Sequence, residues 1–341
     1  IAHTSGFDAF IDGHSHTVME NKQVQDASGK AVTLTQTGSY FANVGEMTIA
    51  ADGTITTKLI PTHEGMDATI AAMQTGWVNT VDDMLGEKIA VGDSDFYVSD
   101  PATGKRRIRS AETNLGDFVA DGIYTYFNEV EKLHCDVAIM NGGGIRADVP
   151  AGDWTFKTCK QVSPFGNVAC LMSVTGKQIQ DALEFAARFA GEGGKENGGF
   201  LQVAGATYEI HTDIPNTVQT DEKNVWIGSA TGTPRVQNVK IYDKASGSYL
   251  PLDPGATYAL AGMNYTLRNL GDGFAMFDGA ELIKDYVSED YLVMATYAMT
   301  FDGADAAGLP HLSSANSPLA AYPGYLLNYE QPYGAGRITI L

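Results

Sequence analysis

Hydrophobic and polar positions alternate along the first sixty residues with the two-residue period of β-strands. The segment at 7–12 (FDAFID) is predicted to be a buried strand, and strand-like runs follow at 31–37 (AVTLTQT) and 44–60 (VGEMTIAADGTITTKLI). Asp52-Gly53 separates two alternating runs within the last segment, which is a strong β-hairpin signal. The N-terminal segment is therefore predicted to be small and rich in β-structure.

The period changes to that of an α-helix between Asp67 and Leu85. Apolar residues then recur on one helical face, and they are Ile70, Met73, Trp77, Val81 and Met84 or Leu85. The segment at 91–105 (VGDSDFYVSDPATGK) follows and is rich in turn residues. We therefore predict a connecting helix followed by an irregular hinge or boundary.

Helices and strands are both predicted from about residue 105 onward. Apolar positions between Leu115 and Val130 indicate an amphipathic helix with Thr113 as a candidate N-cap. Thr175 and Gln178 form a capping-box pattern at the start of a second helix. Strands are predicted at 136–140 (DVAIM), 236–243 (VQNVKIYD), 257–263 (TYALAGM) and 337–341 (RITIL). The fold class is thus predicted to be mixed α/β (α+β), preceded by a small β-rich segment.

Composition limits the classes of protein that fit. At 341 residues, the chain is too long for one simple core, so two domains or a domain with an appendage are expected. The net charge of −19 argues against binding to nucleic acid polymers or anionic membranes. No run approaches the roughly 20 apolar residues of a transmembrane helix. Cys135, Cys159 and Cys170 indicate neither a disulfide framework nor a zinc ribbon, because their number is odd and CxxC spacing is missing.

The first residues do not have the pattern of a signal peptide. Ile1 opens directly into what looks like sequence from the middle of a domain, so we expect the chain to begin inside a larger protein. An acidic composition rich in Gly, Asn, Thr and Tyr is compatible with a secreted bacterial protein.

Two histidines, His14 and His16, lie one residue apart in the turn after the first predicted strand (IDGHSHT). Gly13 permits a sharp turn there, which allows both imidazoles to point across the strand end. Imidazole suits zinc, manganese or iron, but two histidines do not complete a coordination shell. The pair is a candidate metal-binding motif that needs further ligands from elsewhere, and an exposed or hydrogen-bonded pair is the alternative.

Basic residues concentrate at 105–109 (KRRIR), which holds four of the 22 Lys and Arg residues. In a chain this acidic, such a cluster indicates an anion site, and a solvated basic turn is the alternative. The segment NGGGIR, from Asn141 to Arg146, directly follows the predicted strand DVAIM. Its glycines allow close approach of the backbone to a ligand, and an arginine offers bidentate hydrogen bonds to phosphate. It lacks the endings of Walker and GxGxxG loops, and a glycine-rich bend is the alternative.

Two more segments place an aromatic residue beside turn residues, at 163–168 (SPFGNV) and 264–277 (NYTLRNLGDGFAMF). Phe165 and Tyr265 either belong to the core or face each other and stack on a base, which contributes roughly 1 to 3 kcal/mol per aromatic ring. Asp272 is a candidate acceptor for ribose hydroxyls. Arginines, aromatic rings, an aspartate and a His-x-His pair together indicate a nucleotide phosphohydrolase.

Five motifs in this order resemble those of a known family, and they are RSAETNLGDF, NGGGIR, PFGNV, NGGFLQVAG and GDGF. The part from about residue 105 to 341 resembles the C-terminal substrate-binding domain of the 5′-nucleotidases, the family of UDP-sugar hydrolase and ecto-5′-nucleotidase. The first sixty residues resemble the end of the partner metallophosphatase domain. The resemblance implies a metallophosphatase (calcineurin-like) remnant at 1–65, a linker helix and hinge at 66–100, and the substrate-binding domain at 101–341.

The resemblance also implies roles for individual residues. Arg109 and Arg146 would bind the phosphate, and Phe165 and Tyr265 would clamp the base. Asn141, Asn167 and Gly198 would contact the base or the sugar, and Asp272 would bind the ribose hydroxyls. Lys105 or Arg106 would assist in phosphate binding. His14 and His16 would each ligate one ion of a dinuclear centre of zinc, manganese or similar divalent ions. The segment from Tyr265 to Asp272 is one residue longer than the usual family loop.

The resemblance implies that the parent protein is a secreted, periplasmic or cell-surface hydrolase that depends on metal. Its remaining metal ligands are expected in a metallophosphatase domain before Ile1, so this chain alone is expected to bind the metals incompletely and to be inactive. The alternatives are a nucleotide-binding module without turnover and a sugar-binding or adhesive module. Specificity for 5′-nucleotides, UDP-sugars, 2′,3′-cyclic nucleotides or dinucleotides stays open, because leaving-group selection depends on the shape of the pocket.

Overall fold

The computed structural model describes residues 1–62, 65–191 and 195–341. The chain divides into two compact units, Ile1–Trp77 and Val78–Leu341. In the described parts of the chain, no helix is both long enough and apolar enough to cross a membrane.

The first unit is built from short strands, which are β1 (Ala9–Ile11), β2 (Val18–Gln25), β3 (Ala31–Thr37), β4 (Asn43–Ile49) and β5 (Ile55–Pro61). Strand β3 lies between β1 and β2, parallel to β1 and antiparallel to β2. Strands β4 and β5 form an antiparallel hairpin. The hairpin predicted from Asp52-Gly53 is confirmed, and Gly53 has the positive φ of 83° that favours glycine in such a turn.

The prediction that FDAFID is a buried strand is only half right. The strand forms as β1, but its side chains are largely exposed, with Phe10 at 39% and Ile11 at 71%. Strand β1 is the edge strand of a three-stranded sheet, so it has a neighbour on one side only. A short apolar run shows that a strand forms, but it does not show how many layers cover that strand.

Helix α1 (Ala68–Leu85) confirms the helical period after Asp67. The Asp67 carboxylate accepts the backbone N–H groups of Thr69 and Ile70 and so caps the helix. None of the α1 residues is buried, and Trp77 is 64% exposed. The domain boundaries set at residues 65 and 100 stay predictions, as does the origin of the first segment.

The second unit combines helices with several sheets. Its strands are β6 (Lys88–Gly92), β7 (Val137–Asn141), β8 (Gly152–Thr155), β9 (Ala169–Thr175), β10 (Leu201–Ala204), β11 (Ala206–Ile210), β12 (Gln219–Thr220), β13 (Trp226–Gly228), β14 (Val236–Asp243), β15 (Ser248–Pro251), β16 (Thr257–Met263), β17 (Glu281–Lys284), β18 (His311–Leu312) and β19 (Ile338–Ile340). Its helices are α2 (Asn114–Thr125), α3 (Phe156–Val162), α4 (Gly176–Ala186), α5 (Asn264–Leu267) and α6 (Asp290–Ala298).

A five-stranded sheet in the order β10-β7-β16-β9-β17 forms the centre of this unit. Strands β7 and β16 are parallel, and the other neighbours are antiparallel, so the sheet is mixed. A four-stranded sheet (β15-β14-β11-β19) and a three-stranded sheet (β18-β6-β8) complete the unit, together with the β12-β13 ribbon. The predicted mixed α/β fold class is confirmed.

Strand β7, inside the central sheet, is buried on both faces. Along β7, Ala138 and Met140 belong to one buried cluster, whereas Val137 and Ile139 belong to another. Because successive side chains of a strand point to opposite faces, the two clusters lie on opposite sides of the sheet. Helix α2 contributes to the first cluster and helix α4 to the second.

The two predicted helix starts in this unit are confirmed. The Thr113 side chain accepts the Gly116 N–H and caps α2, and Thr175 and Gln178 form the capping box of α4. Helix α2 continues into a π-helical turn (Tyr126–Val130), which accounts for the predicted apolar pattern as far as Val130.

Candidate functional site

Four of the sequence motifs meet at one end of the central sheet. Strand β7 ends at Asn141, opposite the start of β10 at Leu201. Strand β16 ends at Met263, opposite the start of β9 at Ala169. Since β7 and β16 run parallel, all four junctions lie at the same edge. The NGGGIR, NGGF, PFGNV and NYT segments are therefore brought together by strand register alone.

Asp272 is held at this edge by two side chains from different segments. Asn141 Nδ2 donates to Asp272 Oδ2 at 3.0 Å, and Tyr265 Oη donates to Asp272 Oδ1 at 3.0 Å. A carboxylate has about four acceptor positions, so these two donors leave room for further hydrogen bonds. Asp272 has a φ of 55°, a left-handed conformation that is uncommon outside glycine and often found at functional sites.

Asn141 is almost fully buried, with 4% of its surface exposed. Its Oδ1 has no hydrogen-bond partner among the described residues, although its Nδ2 is used by Asp272. A buried polar oxygen without a partner costs stability unless another group completes it. Asn141 Oδ1 is thus an acceptor whose burial is not compensated by any of the described residues.

Glycines allow three backbone segments to come close together here. Gly143 N–H donates to the Gly198 carbonyl at 2.7 Å. A Cβ at Gly142 would lie 2.3 Å from the Ile108 carbonyl oxygen, and a Cβ at Gly198 would lie 3.8 Å from Asp272 Oδ1. Any larger residue at position 142 would push apart NGGGIR and the basic segment.

Three guanidinium groups share the neighbouring region. Arg106 Nη1 lies 3.4 Å and Arg109 Nη1 lies 3.8 Å from Glu196 Oε2. Burial lowers the pKa of Arg109, and the positive charges of Arg106 and Arg146 lower it further. Glu196 and Asp272 act on the Arg109 pKa in the opposite direction. The two arginines predicted for phosphate therefore lie within electrostatic range of each other and of Asp272.

Arg109 Nε is buried and has no hydrogen-bond partner among the described residues. Arg106, one of the two residues predicted to assist, joins the cluster through Glu196. Lys105, the other, is exposed in the preceding turn.

The two predicted base-binding rings lie on neighbouring segments. Val168 N–H donates to Asn264 Oδ1 at 2.9 Å, and Asn264 N–H donates to the Val168 carbonyl at 2.8 Å, which ties the segments together. Phe165 is 59% and Tyr265 is 36% exposed, so neither ring belongs to the core. The Arg146 guanidinium lies over the Phe165 ring, 5.8 Å from its centroid.

Tyr265 packs closely against the backbone of Gly271, where a Cβ would lie 2.5 Å from the ring. The Tyr265 hydroxyl reaches Asp272 from the other end of this loop. Whether Phe165 and Tyr265 enclose a base stays a prediction, as do the roles of the other candidate residues.

Two residues near the site were missed by sequence reasoning. Asp290 accepts the Asn167 N–H at 3.1 Å, and Asn167 is one of the predicted base or sugar contacts. Arg188 is 6% exposed, and its guanidinium lies 3.8 Å from the centroid of the Phe185 ring. Burial lowers the pKa of Arg188 to about 10, opposed by the negative charge of Asp272. Arg188 could have been identified as the one charged residue in the otherwise apolar segment FAARFAG, whereas Asp290 lies in no motif.

The histidine pair in the first unit does not form a metal centre by itself. His14 and His16 have φ values of 66° and 58°, and both side chains are exposed. His16 makes an edge contact with Tyr40, with the ring centroids 6.2 Å apart. Residues 1–62, 65–191 and 195–341 contain no group of three or more His, Cys, Asp or Glu that could hold a metal ion. The described residues therefore cannot complete a dinuclear centre by themselves, and metal ligation by His14 and His16 stays a prediction.

Known proteins are similar to this chain in sequence and in fold. Trifunctional nucleotide phosphoesterase protein YfkN of Bacillus subtilis is 31% identical over 298 residues, which cover 84% of this chain and 18% of YfkN. Apyrase of Tabanus yao is 26% identical over 318 residues, covering 85% of this chain and 53% of the apyrase. The chain therefore spans at most about half the length of these relatives.

The fold is that of a 5′-nucleotidase precursor from Thermus thermophilus, whose crystal structure matches with a TM-score of 0.65 at 24% identity. The match covers 100% of this chain and 60% of that one. A family model described as 5′-nucleotidase, C-terminal domain, matches residues 89–279, which is more than half of the chain. The chain thus belongs to the family of 5′-nucleotidase C-terminal domains.

Proposed function

We propose that this chain is the nucleotide-binding portion of a metal-dependent 5′-nucleotidase-type phosphohydrolase. The observation that carries the proposal is the position of Asp272, which is held by Asn141 and Tyr265 and acts electrostatically on Arg109. An acceptor for a diol next to a cationic group for an anion is the arrangement that a nucleoside monophosphate requires.

Each part of the substrate has its own group of residues in this proposal. Arg109 and Arg146 bind the phosphate through charge-assisted hydrogen bonds. Phe165 and Tyr265 stack on the base. Asp272 accepts hydrogen bonds from the ribose hydroxyls. Asn141, Asn167 and Gly198 contact the base or the sugar.

Cleavage of the phosphate ester is assigned to the parent protein rather than to this chain. His14 and His16 are proposed to contribute to a centre of two divalent ions, whose other ligands belong to a metallophosphatase domain. Residues of this chain bind and orient the nucleotide, and we propose that the chain alone does not hydrolyse it. We place the parent protein outside the cytoplasm, as a secreted, periplasmic or cell-surface enzyme.

Calorimetry with AMP, adenosine and inorganic phosphate tests the binding function. We expect AMP to bind more tightly than either adenosine or phosphate, because it engages both the arginines and the aromatic rings. Equal affinities for AMP and adenosine would reject the phosphate role of the arginines, and no binding of either would reject the proposal.

A phosphate-release assay separates an enzyme from a binding module. The parent protein should release phosphate from AMP when Zn²⁺ or Mn²⁺ is supplied, and a chelator should stop the release. UDP-glucose, a 2′,3′-cyclic nucleotide and a dinucleotide, assayed in parallel, would identify the preferred substrate. Absence of hydrolysis with all of them would favour a nucleotide-binding module without turnover.

A further inference from the structure

The segment that carries Phe165 is fastened to the start of helix α6. Asn167 N–H donates to Asp290 Oδ2 at 3.1 Å, and Asp290 N–H donates to the Asn167 carbonyl at 2.8 Å. Val168 forms an isolated antiparallel bridge with Glu289. Asn167 and Val168 are thus held by groups at the N-terminal end of α6, in addition to the bonds between Val168 and Asn264.

The Asp290 carboxylate uses both oxygens as acceptors. Oδ2 accepts the Asn167 N–H and Oδ1 accepts the Tyr291 N–H at 2.8 Å. Asp290 is 3% exposed, so water does not readily replace these bonds. A protonated carboxyl has a hydrogen on one oxygen, which weakens that oxygen as an acceptor and directs a donor toward a backbone N–H.

Burial raises the pKa of Asp290 from 3.8 to about 6. The backbone N–H groups of Tyr291 and Asn167 oppose this effect. Two charged side chains also act on the carboxyl, Lys160 of α3, which lowers its pKa, and Glu289, which raises it. Lys160 Nζ lies 3.5 Å from Glu289 Oε2, so these two charges largely offset each other.

We propose that Asp290 is a positioning residue that, in its ionised form, holds the Phe165 segment ready to stack on a nucleoside base. This inference rests on the proposed nucleotide-binding function. Protonation of Asp290 loosens the bond to Asn167, so the nucleoside part of the substrate binds less tightly in acid.

Protonation of Asp290 is expected to weaken nucleoside binding but to favour folding. Because the folded pKa of Asp290 lies above its ordinary value, the folded state binds the proton more tightly than the unfolded chain does. The contribution of Asp290 to stability is therefore fully present below the ordinary pKa and is lost as the pH rises to about 6. At low pH the protonated Asp290 favours folding. If Asp290 had only a structural role, acid would therefore not weaken nucleoside binding through this residue.

The test is the affinity for adenosine, measured by calorimetry at about pH 7.5 and about pH 5. Adenosine carries no phosphate, so its own charge does not change over this range. We expect wild-type affinity to fall by about fivefold in acid, the size of effect that the loss of one ordinary hydrogen bond has. Asp290→Asn should bind about as weakly as acidified wild type at both pH values. The control, Glu289→Gln, removes a charge that raises the pKa of Asp290. It should therefore keep the wild-type affinity at about pH 7.5 and lose affinity only at a lower pH than wild type does.

Equal affinity and equal pH dependence in Asp290→Asn and wild type would overturn the inference. So would a wild-type affinity that does not change with pH, a result that needs no variant to fold.

A second measurement is independent of nucleotide binding. Amide hydrogen exchange of residues 163–168, corrected for intrinsic rates, should be faster in Asp290→Asn than in wild type or Glu289→Gln. Unchanged exchange would refute the positioning role even if nucleosides bind. If exchange increases but wild type binds neither AMP nor adenosine, the proposed function fails and the base-positioning inference fails with it, while the attachment of the segment stands.

Discussion

Arg337 and the group of arginines at the candidate site, all in the second unit, differ in how their positive charges are compensated. Arg337 is fully buried, with its Nη2 at 2.8 Å from Asp121 Oδ2 and its Nη1 at 3.7 Å from Asp117 Oδ1. It also donates to the carbonyls of Val203 and Leu326.

In the other group, Arg106 and Arg109 are both paired with Glu196, at 3.4 and 3.8 Å. Arg146 donates to a backbone carbonyl at 3.4 Å and adds a third positive charge. The comparison teaches that Arg337 is surrounded by acceptors, whereas Arg106 and Arg109 share one carboxylate and Arg146 donates to a single carbonyl, an arrangement that suits the proposed binding of an anion.

The carboxylates around Arg337 also hold the C-terminal strand. Glu112 accepts the backbone N–H groups of Gly336, Arg337 and Ile338 at 2.7 to 3.0 Å. Burial raises the pKa of Asp117 well above its usual range, despite the neighbouring Arg337. Excess negative charge in a buried network is costly. A proton on Asp117 reduces that excess, so the network needs no external ligand to balance its charge.

Arg337→Met tests the structural side of the comparison. Removal of this cation leaves buried carboxylates without their partner, so we expect the free energy of unfolding to fall by about 3 to 5 kcal/mol. Urea unfolding followed by circular dichroism measures the loss.

Arg268→Met is the matched control, because Arg268 is paired with Asp285 but is 42% exposed. Its replacement should cost at most about 1 kcal/mol. Similar losses in the two variants would show that burial does not distinguish the roles of these arginines.

Arg146→Ala tests the binding side. Loss of a charge-assisted contact should weaken AMP binding by about 1.5 to 3 kcal/mol, with little change in the unfolding transition. Calorimetry with AMP and denaturant unfolding measure the two quantities.

The control, Arg107→Ala, comes from the same basic region. Arg107 Nε donates to the Glu112 carbonyl at 2.8 Å, and its guanidinium lies over the Tyr333 ring, so its loss should affect stability more than AMP affinity. If Arg146→Ala unfolds the protein instead, the side chain belongs with the structural arginines.

Glu196→Gln tests the same comparison with a smaller expected change in AMP affinity. Glu196 is the carboxylate paired with both Arg106 and Arg109, so its neutralisation should strengthen AMP binding by about 0.2 to 1 kcal/mol. The gain should shrink as salt is added, because the charges are partly exposed. Titrations at low and high ionic strength measure it, with uncharged adenosine as the control. A weaker affinity for AMP would mean that Glu196 positions the arginines instead of competing with the phosphate.

Sequence patterns predicted much of the second unit because local rules determine its elements. Thr113, Thr175 and Gln178 marked the two helix starts correctly, and β14 and β16 form at the predicted residues. Glycine-rich motifs that adjoin strands of one sheet are necessarily brought to its edge, so the neighbourhood of the candidate residues followed from their positions in sequence.

Contacts between distant parts of the chain were not predictable in the same way. The exposure of β1 depends on the layers around it, which its own sequence does not encode. Asp290 is linked to Asn167 across 123 positions, and Arg337 is linked to Asp121 across 216. Neither pair has a spacing or composition that single-sequence reasoning uses.

The attachment of residues 335–338 to Glu112 and to Asp117 of α2 constrains how this unit is made in the cell. Ala335, Gly336 and Ile338 supply backbone N–H groups to carboxylates of Asp117 and Glu112 that lie more than two hundred positions earlier. Until the ribosome has released this segment, those carboxylates have no permanent partners and the helix cannot settle in a closed core. Native packing of the unit is therefore completed only after translation has passed residue 338, and a nascent chain that stalls earlier exposes apolar surface to chaperones.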